Sequence, residues 1–370
     1  MKKILISASF SESLIIFRGP LLGEMVKKGY HVTACAPAGT SKIKNTLNTM
    51  EIAYKNIPLE RTGLNPTKDF QTIFSLFILF QNLKPDVILS YTIKPVVYGS
   101  IAAKLAGVPK IYSIVTGLGY AFMGSGIKSR IINLLAKLLY HVSLKFNQKV
   151  FFQNPDDLHL FQSSNLITEN QGVLINGSGV DTEYYKPEPF PENLSFLLIA
   201  RLLKDKGIRE YVEAARIIKQ KYLKISFRFV GWVENNPASV SKNELDTWVK
   251  QGIIEYLGKV SDVRPAIATS SVYVLPSYRE GTPRTVLEAM AMGRPIITTD
   301  APGCRETVQH GKNGFLVPIK NVSVLVSAME KFIRQPELIE TMGLASRQIA
   351  VEKYDVRKVN AVILKTMGLD

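Results

Sequence analysis

Strand-like runs alternate with helical ones along the whole chain, which predicts an α/β fold of two Rossmann-like domains facing a cleft. Two further observations support that reading. The alternation breaks off at a proline-rich stretch and then restarts, so there are two series of strands and not one. The chain is 370 residues long with 46% apolar side chains, enough to bury two cores.

The first series predicts strands over Lys3 to Ala8, His31 to Ala36, Ala53 to Ile57, Val87 to Ser90, Lys110 to Val115, Val150 to Gln153 and Val173 to Ile175. The second restarts at Phe196, Phe227, Ile254, Val272, Ile296 and Phe315. Between them Pro187, Pro189 and Pro191 stand within one short stretch, the best candidate for a linker. The expected division is 1–187, 188–350, and a C-terminal helix over 351–370 that crosses back to the first domain.

Cysteine usage and the N-terminus bear on compartment. Cys35 and Cys304 lie in different expected domains, so a structural disulfide is not expected and a reducing cytoplasm fits. The apolar run after Met1-Lys-Lys is too short for a signal peptide and reads directly as a first strand. Nothing approaches the ~20 apolar residues needed to span a bilayer. The expectation is a protein that stays inside the cell.

Glu280-Gly-Thr-Pro-Arg-Thr-Val-Leu-Glu288 places two carboxylates on either side of a helix start. Thr282 can cap that helix and Pro283 suits its first turn, so the backbone N–H groups from Gly281 and Thr282 onward would face an anion. One carboxylate ahead of the anion and one behind it can accept hydrogen bonds from hydroxyls on both sides of a diphosphate. The alternative is an ordinary amphipathic helix with two solvated glutamates. Upstream, the strand Phe196-Leu-Leu-Ile-Ala-Arg201 leads into Lys206-Gly207 and a helical pattern from Ile208. Ligands of parallel sheets bind beyond the carboxyl ends of strands, so Arg201 and Lys206 are well placed for a diphosphate. Downstream, the strand Pro295 to Asp300 runs into Pro302-Gly303 and Glu306, a glycine turn that could open a helix around a phosphate.

Taken in order, Ala200-Arg201 to Lys206-Gly207, Glu280 to Glu288, Pro302-Gly303 with Glu306, and Asn313-Gly-Phe-Leu-Val317 resemble the retaining glycosyltransferases of family 4, which have the two-domain GT-B fold. The resemblance covers nearly the whole chain. It includes the hinge-like Ile175-Asn-Gly-Ser-Gly-Val-Asp181-Thr-Glu-Tyr-Tyr-Lys-Pro187, where the family carries Asn-Gly-Val-Asp ahead of a Phe/Tyr-x-Pro. Phe17-Arg18-Gly19-Pro20 and Val115-Thr116-Gly117-Leu118-Gly119-Tyr120-Ala121-Phe122 narrow it to the bacterial subgroup that extends undecaprenyl-diphosphate-linked saccharides, such as α-1,3-N-acetylgalactosaminyltransferases. Many members place a histidine on the latter loop. This chain has Thr116-Gly117 there, and its four histidines, His31, His141, His159 and His310, lie elsewhere.

The resemblance implies an acceptor domain first and a nucleotide-sugar domain second, with a UDP-sugar as co-substrate and GDP as the other candidate nucleotide. It implies front-face transfer in which the leaving diphosphate helps accept the acceptor proton. Arg201, Lys206 and Glu280 then form the catalytic set: the two cations neutralise the leaving group and Glu280 holds donor-sugar hydroxyls. Glu288 takes the ribose. Gly281, Thr282, Pro283, Arg284 and Thr285 line the donor, and Arg18 and Gly117 approach it from the other domain. No Asp-x-Asp is present, so no cofactor and no catalytic divalent metal are expected.

The net charge of +15 is uneven: residues 1–155 carry 19 Lys or Arg against 6 Asp or Glu. Such an excess asks for an anionic partner. No zinc pattern, helix-turn-helix or ribonucleoprotein motif points to nucleic acid. The segment 126–145 sets Lys128, Arg130, Lys137 and Lys145 among apolar residues, as in a basic helix lying on an anionic membrane; the alternative is a core-facing helix with a solvated basic side. Asp69 to Phe80 is almost wholly apolar and is expected in the core. The expected partners are therefore a nucleotide sugar, a polyprenyl-diphosphate-linked acceptor and the anionic inner membrane surface, not nucleic acid, and the expected location is peripheral on the cytoplasmic face. A nucleotide-sugar epimerase of the same architecture and a transferase with a soluble acceptor stay open. Dinucleotide redox chemistry is disfavoured because no Gly-x-Gly-x-x-Gly follows the first strand.

Overall fold

The computed structural model describes residues 1–60, 63, 65–118, 126–234 and 238–370, the side chains of 127–129 excepted. The chain divides into two compact units, Met1–Ser178 with Arg357–Asp370, and Gly179–Val356.

The first unit holds strands β1 (Lys3–Ser7), β2 (His31–Ala36), β3 (Ala53–Asn56), β4 (Val87–Tyr91), β5 (Lys110–Val115), β6 (Lys149–Phe152) and β7 (Gly172–Leu174). They form one parallel sheet in the order β3-β2-β1-β4-β5-β6-β7. Successive residues point to opposite faces of a strand, so Ile4 and Ile6 enter one core and Leu5 the other. Both faces are apolar because helices cover both, as parallel sheets require.

The second unit repeats the plan with β8 (Ser195–Ile199), β9 (Ser226–Val230), β10 (Glu255–Tyr256), β11 (Val272–Leu275), β12 (Ile296–Thr299) and β13 (Gly314–Val317), ordered β10-β9-β8-β11-β12-β13 and all parallel. Phe196 and Leu198 face one core, and Leu197 and Ile199 the other. Each sheet therefore has a switch point where strand order reverses: between β1 and β4, and between β8 and β11. That is where a parallel sheet opens a crevice for ligands. The two sheets with their covering helices have the GT-B architecture that the resemblance implied.

The proline-rich stretch expected as a linker lies inside the second unit. The Arg294 side chain, 1% exposed, donates to the carbonyls of Glu188 and Pro189 (2.9 and 3.0 Å) and of Ile267 and Ala268 (3.1 and 2.9 Å). Its guanidinium lies 4.5 Å from the Phe190 ring, and burial pushes its pKa down to about 10. Phe190 itself packs on the second core. Five-fold hydrogen-bonding capacity lets one arginine hold this donor-poor segment in place. The division falls instead at Ser178/Gly179, within the hinge-like motif, and again at Val356/Arg357. The two crossings lie side by side: Val180 N–H donates to Tyr354 and Val356 N–H to Val180. Gly179 (φ +70°) permits this, since a Cβ there would lie 2.6 Å from the Val356 Cα.

The helix Val356–Met367 sends Val359, Ile363, Leu364 and Met367 into the first unit's core. Two other first-unit helices, Pro66–Leu83 and Ile127–Leu144, pack on the helix Ile93–Leu105 and are only half covered. In Pro66–Leu83, Thr72, Leu76 and Phe80 are buried while Phe70, Phe74 and Ile78 are 70%, 56% and 42% exposed. This corrects the expectation that the segment is wholly core. A helix that is apolar all round but packs on one side must expose its other face. In Ile127–Leu144, Ile131, Leu134, Leu135, Leu138 and Val142 are exposed beside Arg130. Among the described residues no helix is long and apolar enough to cross a membrane.

Ile363 is fully buried, so Ile363→Ala should lower the first unit's stability by about 2–5 kcal/mol. Urea unfolding followed by circular dichroism checks it; an unchanged midpoint would mean the C-terminal helix is not part of that core.

Candidate functional site

In the second unit the expected site residues gather on the loops beyond β8 and β11. After β8 the chain passes Arg201 and a short 3-10 turn, Lys204–Lys206, before the helix Ile208–Lys221. After β11 it runs through Ser277 to Pro283 into the helix Arg284–Ala291. The Lys206 Nζ donates to Glu280 Oε1 at 2.6 Å, with side chains 13% and 17% exposed, and so joins the two loops. Asp205 adds a backbone join, its carbonyl accepting from Tyr278 N–H at 2.8 Å.

Glycines allow these backbones to approach. Gly207 has φ +68°, and a Cβ on it would lie 2.0 Å from the Pro276 carbonyl oxygen. Gly303 has φ +81°, and a Cβ there would lie 2.2 Å from the Glu280 carbonyl oxygen. The loop after β12 thus backs the Glu280 loop directly, and Glu280 N–H donates to the Pro302 carbonyl at 2.9 Å. Contrary to the sequence expectation, the Pro302-Gly303 turn opens no α-helix. It leads only into the 3-10 turn Arg305–Thr307, so Gly303 serves loop packing.

Thr282 does not cap its helix either. The Pro283 carbonyl accepts from Val286 and Leu287 N–H, which makes Pro283 the N-cap and leaves Thr282 one residue outside. Proline has no side-chain acceptor, so no side-chain cap forms. The Thr285 hydroxyl instead accepts from Tyr273 Oη at 2.6 Å, and the same phenol reaches the Ile199 carbonyl at 3.1 Å, which ties this helix to the end of β8.

Glu288 is 5% exposed, one and a quarter turns into the helix. Its Oε1 accepts from Tyr185 Oη at 2.9 Å and from Arg284 Nε at 2.8 Å. Burial, then the Glu288 charge, pushes the Tyr185 phenol up, so it stays protonated and donates. Arg201 is held by Glu234, which follows β9, through 3.1 and 3.3 Å contacts. Neither Tyr185 nor Glu234 was singled out from sequence. Glu234 follows a strand end, as Arg201 does, and Tyr185 is the aromatic residue of the Tyr-x-Pro motif already quoted.

Cys304 lies near the same cluster, its Sγ 3.9 Å from the Ser277 carbonyl. Its thiol is buried, and burial with the Glu280 charge pushes it up to about 12. It is therefore no nucleophile at neutral pH.

In the first unit Arg18 lies beyond β1, at the switch point, 1% exposed with its guanidinium 5.4 Å from the Tyr91 ring centre. The Tyr91 hydroxyl shares a 2.8 Å hydrogen bond with Ser13. Gly117 follows β5 with φ +118°, a conformation that favours glycine. Gly119, Tyr120, Ala121 and Phe122 lie outside the described residues, as does the Lys128 side chain.

Comparison with known proteins gives the family of the chain. Residues 3–154 match the family model of glycosyl transferase 4-like domains, and residues 193–335 that of glycosyl transferases group 1. The chain belongs to this glycosyltransferase family. Among its relatives is the N,N'-diacetylbacillosaminyl-diphospho-undecaprenol alpha-1,3-N-acetylgalactosaminyltransferase of Campylobacter jejuni, 29% identical over 93% of this chain and 92% of the relative. Another is the UDP-Gal:alpha-D-GlcNAc-diphosphoundecaprenol alpha-1,3-galactosyltransferase of Escherichia coli, 25% identical over 82% and 80%. The crystal structure of Anabaena Alr3699/HepE in complex with UDP shares the fold, with a TM-score of 0.79 at 18% identity over the full length of both chains. In this glycosyltransferase, then, the paired Lys206–Glu280 and Arg201–Glu234 groups stand at the switch point of the group 1 domain.

Both cysteines are buried and free, and burial holds Cys35, like Cys304, up at about 12. A thiol whose folded pKa is raised keeps its proton through pH 9 and loses its protection on unfolding. An aromatic disulfide reagent at pH 8 should therefore find no thiol in the native protein and two in urea. Rapid labelling of native Cys304 would show that the loops around Glu280 open readily.

Proposed function

We propose that this glycosyltransferase moves a hexose or N-acetylhexosamine, with retention, from a UDP-sugar to a polyprenyl-diphosphate-linked saccharide in bacterial glycan assembly. The observation that carries the reading is the join of Lys206 to Glu280 across the β8–β11 switch point, with Arg201 beside it on the same loop. A diphosphate entering there meets two cations, and the sugar it carries meets a carboxylate. The relatives named above act on undecaprenyl-diphosphate-linked sugars, which supports the acceptor class.

The chemistry follows from charge. As the glycosidic bond breaks, negative charge grows on the diphosphate, and Lys206 and Arg201 stabilise it more than they stabilise the ground state. Glu280 orients donor hydroxyls and Glu288 holds the ribose. The acceptor hydroxyl attacks from the face the diphosphate leaves, and a phosphate oxygen takes its proton. Charge compensation by two side chains makes a divalent metal unnecessary, in keeping with the lack of an Asp-x-Asp.

The lipid acceptor calls for a place at the membrane. The exposed faces of Pro66–Leu83 and Ile127–Leu144, in the half that carries most of the net charge, suit the headgroup region of an anionic leaflet. The cytoplasmic face is the side where nucleotide sugars would be met.

Release of free UDP from a panel of UDP- and GDP-sugars, with and without a short polyprenyl-diphosphate-saccharide, tests the reaction. Release should require the acceptor, persist in EDTA, and fall by roughly 10²–10³ in Arg201→Ala and Glu280→Gln, as for loss of one transition-state contact. Donor conversion without any acceptor would favour an epimerase, and transfer to free saccharides a soluble-acceptor enzyme. For the membrane, Phe74→Asp with Leu138→Asp should abolish co-sedimentation with anionic vesicles while UDP binding is retained. Undiminished sedimentation would remove these helices from the membrane contact.

A further inference from the structure

Glu288 offers one carboxylate to the donor, and its geometry is set by a residue far away in sequence. Two donors converge on Oε1: Tyr185 Oη at 2.9 Å and Arg284 Nε at 2.8 Å. Oε2 takes none of the hydrogen bonds found among the described residues. The terminal torsion of a glutamate is soft, so without these contacts the carboxylate plane would turn freely. Arg284 lies on the same helix, four residues earlier, and is a long flexible partner. Tyr185 is a rigid ring, 8% exposed, on a separate segment.

That segment is built to stay still. Asp181 Oδ1 accepts from Glu183 and Tyr184 N–H, each at 3.0 Å, which closes a tight turn. Thr182 Oγ1 donates to Asp355 Oδ2 at 2.7 Å. The Arg347 guanidinium donates to the carbonyls of Thr182, Tyr185 and Ala291 at 3.0, 3.1 and 2.9 Å, so it fastens the Tyr185 backbone to the last residue of the Glu288 helix. The Tyr184 ring meets the Tyr185 ring edge-on at 5.1 Å and is covered by Arg264 at 3.8 Å. The Tyr185 backbone is thereby held relative to the helix that carries Glu288.

We propose that Tyr185 is a positioning residue for the donor: its hydroxyl holds Glu288 Oε1 so that Oε2 is presented to the vicinal hydroxyls of the nucleotide ribose. This rests on the assignment of Glu288 to the ribose. A phenylalanine, which fills the same space, would keep the packing and lose the alignment.

The test is calorimetric binding of UDP and of 2′,3′-dideoxy-UDP to the full-length chain, as wild type, Tyr185→Phe and Glu288→Gln. Wild type should prefer UDP. Tyr185→Phe should weaken UDP about tenfold, the worth of a hydrogen bond to a charged group, and leave dideoxy-UDP within about twofold. It should also raise the donor KM and change kcat little. Equal weakening of both ligands would mean that Tyr185 only supports the fold and would overturn the proposal, as would unchanged affinity for both. If Glu288→Gln removes the preference but Tyr185→Phe keeps it, the positioning role fails while the ribose assignment stands. If wild type shows no preference and Glu288→Gln no effect, the ribose assignment itself fails and takes the proposal with it.

Discussion

The Lys206–Glu280 ion pair is the contact that joins the loops beyond β8 and β11, and the chemistry proposed for the second unit depends on it. Two charges with so little exposure are costly to desolvate, and a well-packed apolar pair would serve stability as well. In the proposed function the pair keeps an ammonium and a carboxylate together at the switch point, for a ligand that carries both phosphates and hydroxyls. Its geometry is possible because three loops touch backbone to backbone. Gly207 leaves room for Pro276 and Gly303 leaves room for Glu280, and a methyl group at either would push the loops apart.

The same logic explains the second carboxylate. Glu288 sits inside a helix whose position is set by Tyr273 and Thr285 at one end and by Arg347 at the other. A loop-borne carboxylate and a helix-borne one thus flank the proposed diphosphate region with different degrees of freedom. Arg201 completes the arrangement from the end of β8, where Glu234 holds it. An entering diphosphate would compete with that carboxylate for the guanidinium.

Much of this was legible in the sequence. All thirteen expected strands are present, because buried parallel strands appear as short apolar runs that tertiary context seldom overrides. The gathering of Arg201, Lys206 and Glu280 beyond the ends of β8 and β11, with Glu288 in the helix that follows, was legible because strand ends and glycine turns stand out in the sequence. Other features were hidden for physical reasons. Thr282 and Pro283 both suit a helix start, and only the backbone bonds from Val286 and Leu287 decide that Pro283 takes the cap. The prolines at 187–191 look like a linker until Arg294, a hundred residues away, supplies the hydrogen bonds that fix them. Phe70, Phe74 and Ile78 look like core because apolar character alone does not say which face of a helix a neighbour covers.

In the proposed reaction the cations after β8 receive the diphosphate of a nucleotide sugar between two carboxylates. A crystal structure of the full chain with UDP tests it most directly. The diphosphate should lie within hydrogen-bond distance of Lys206 and Arg201, with Arg201 drawn from Glu234 toward it and the ribose on Glu288. UDP bound away from the β8–β11 switch point, with the Arg201–Glu234 pair intact, would contradict it.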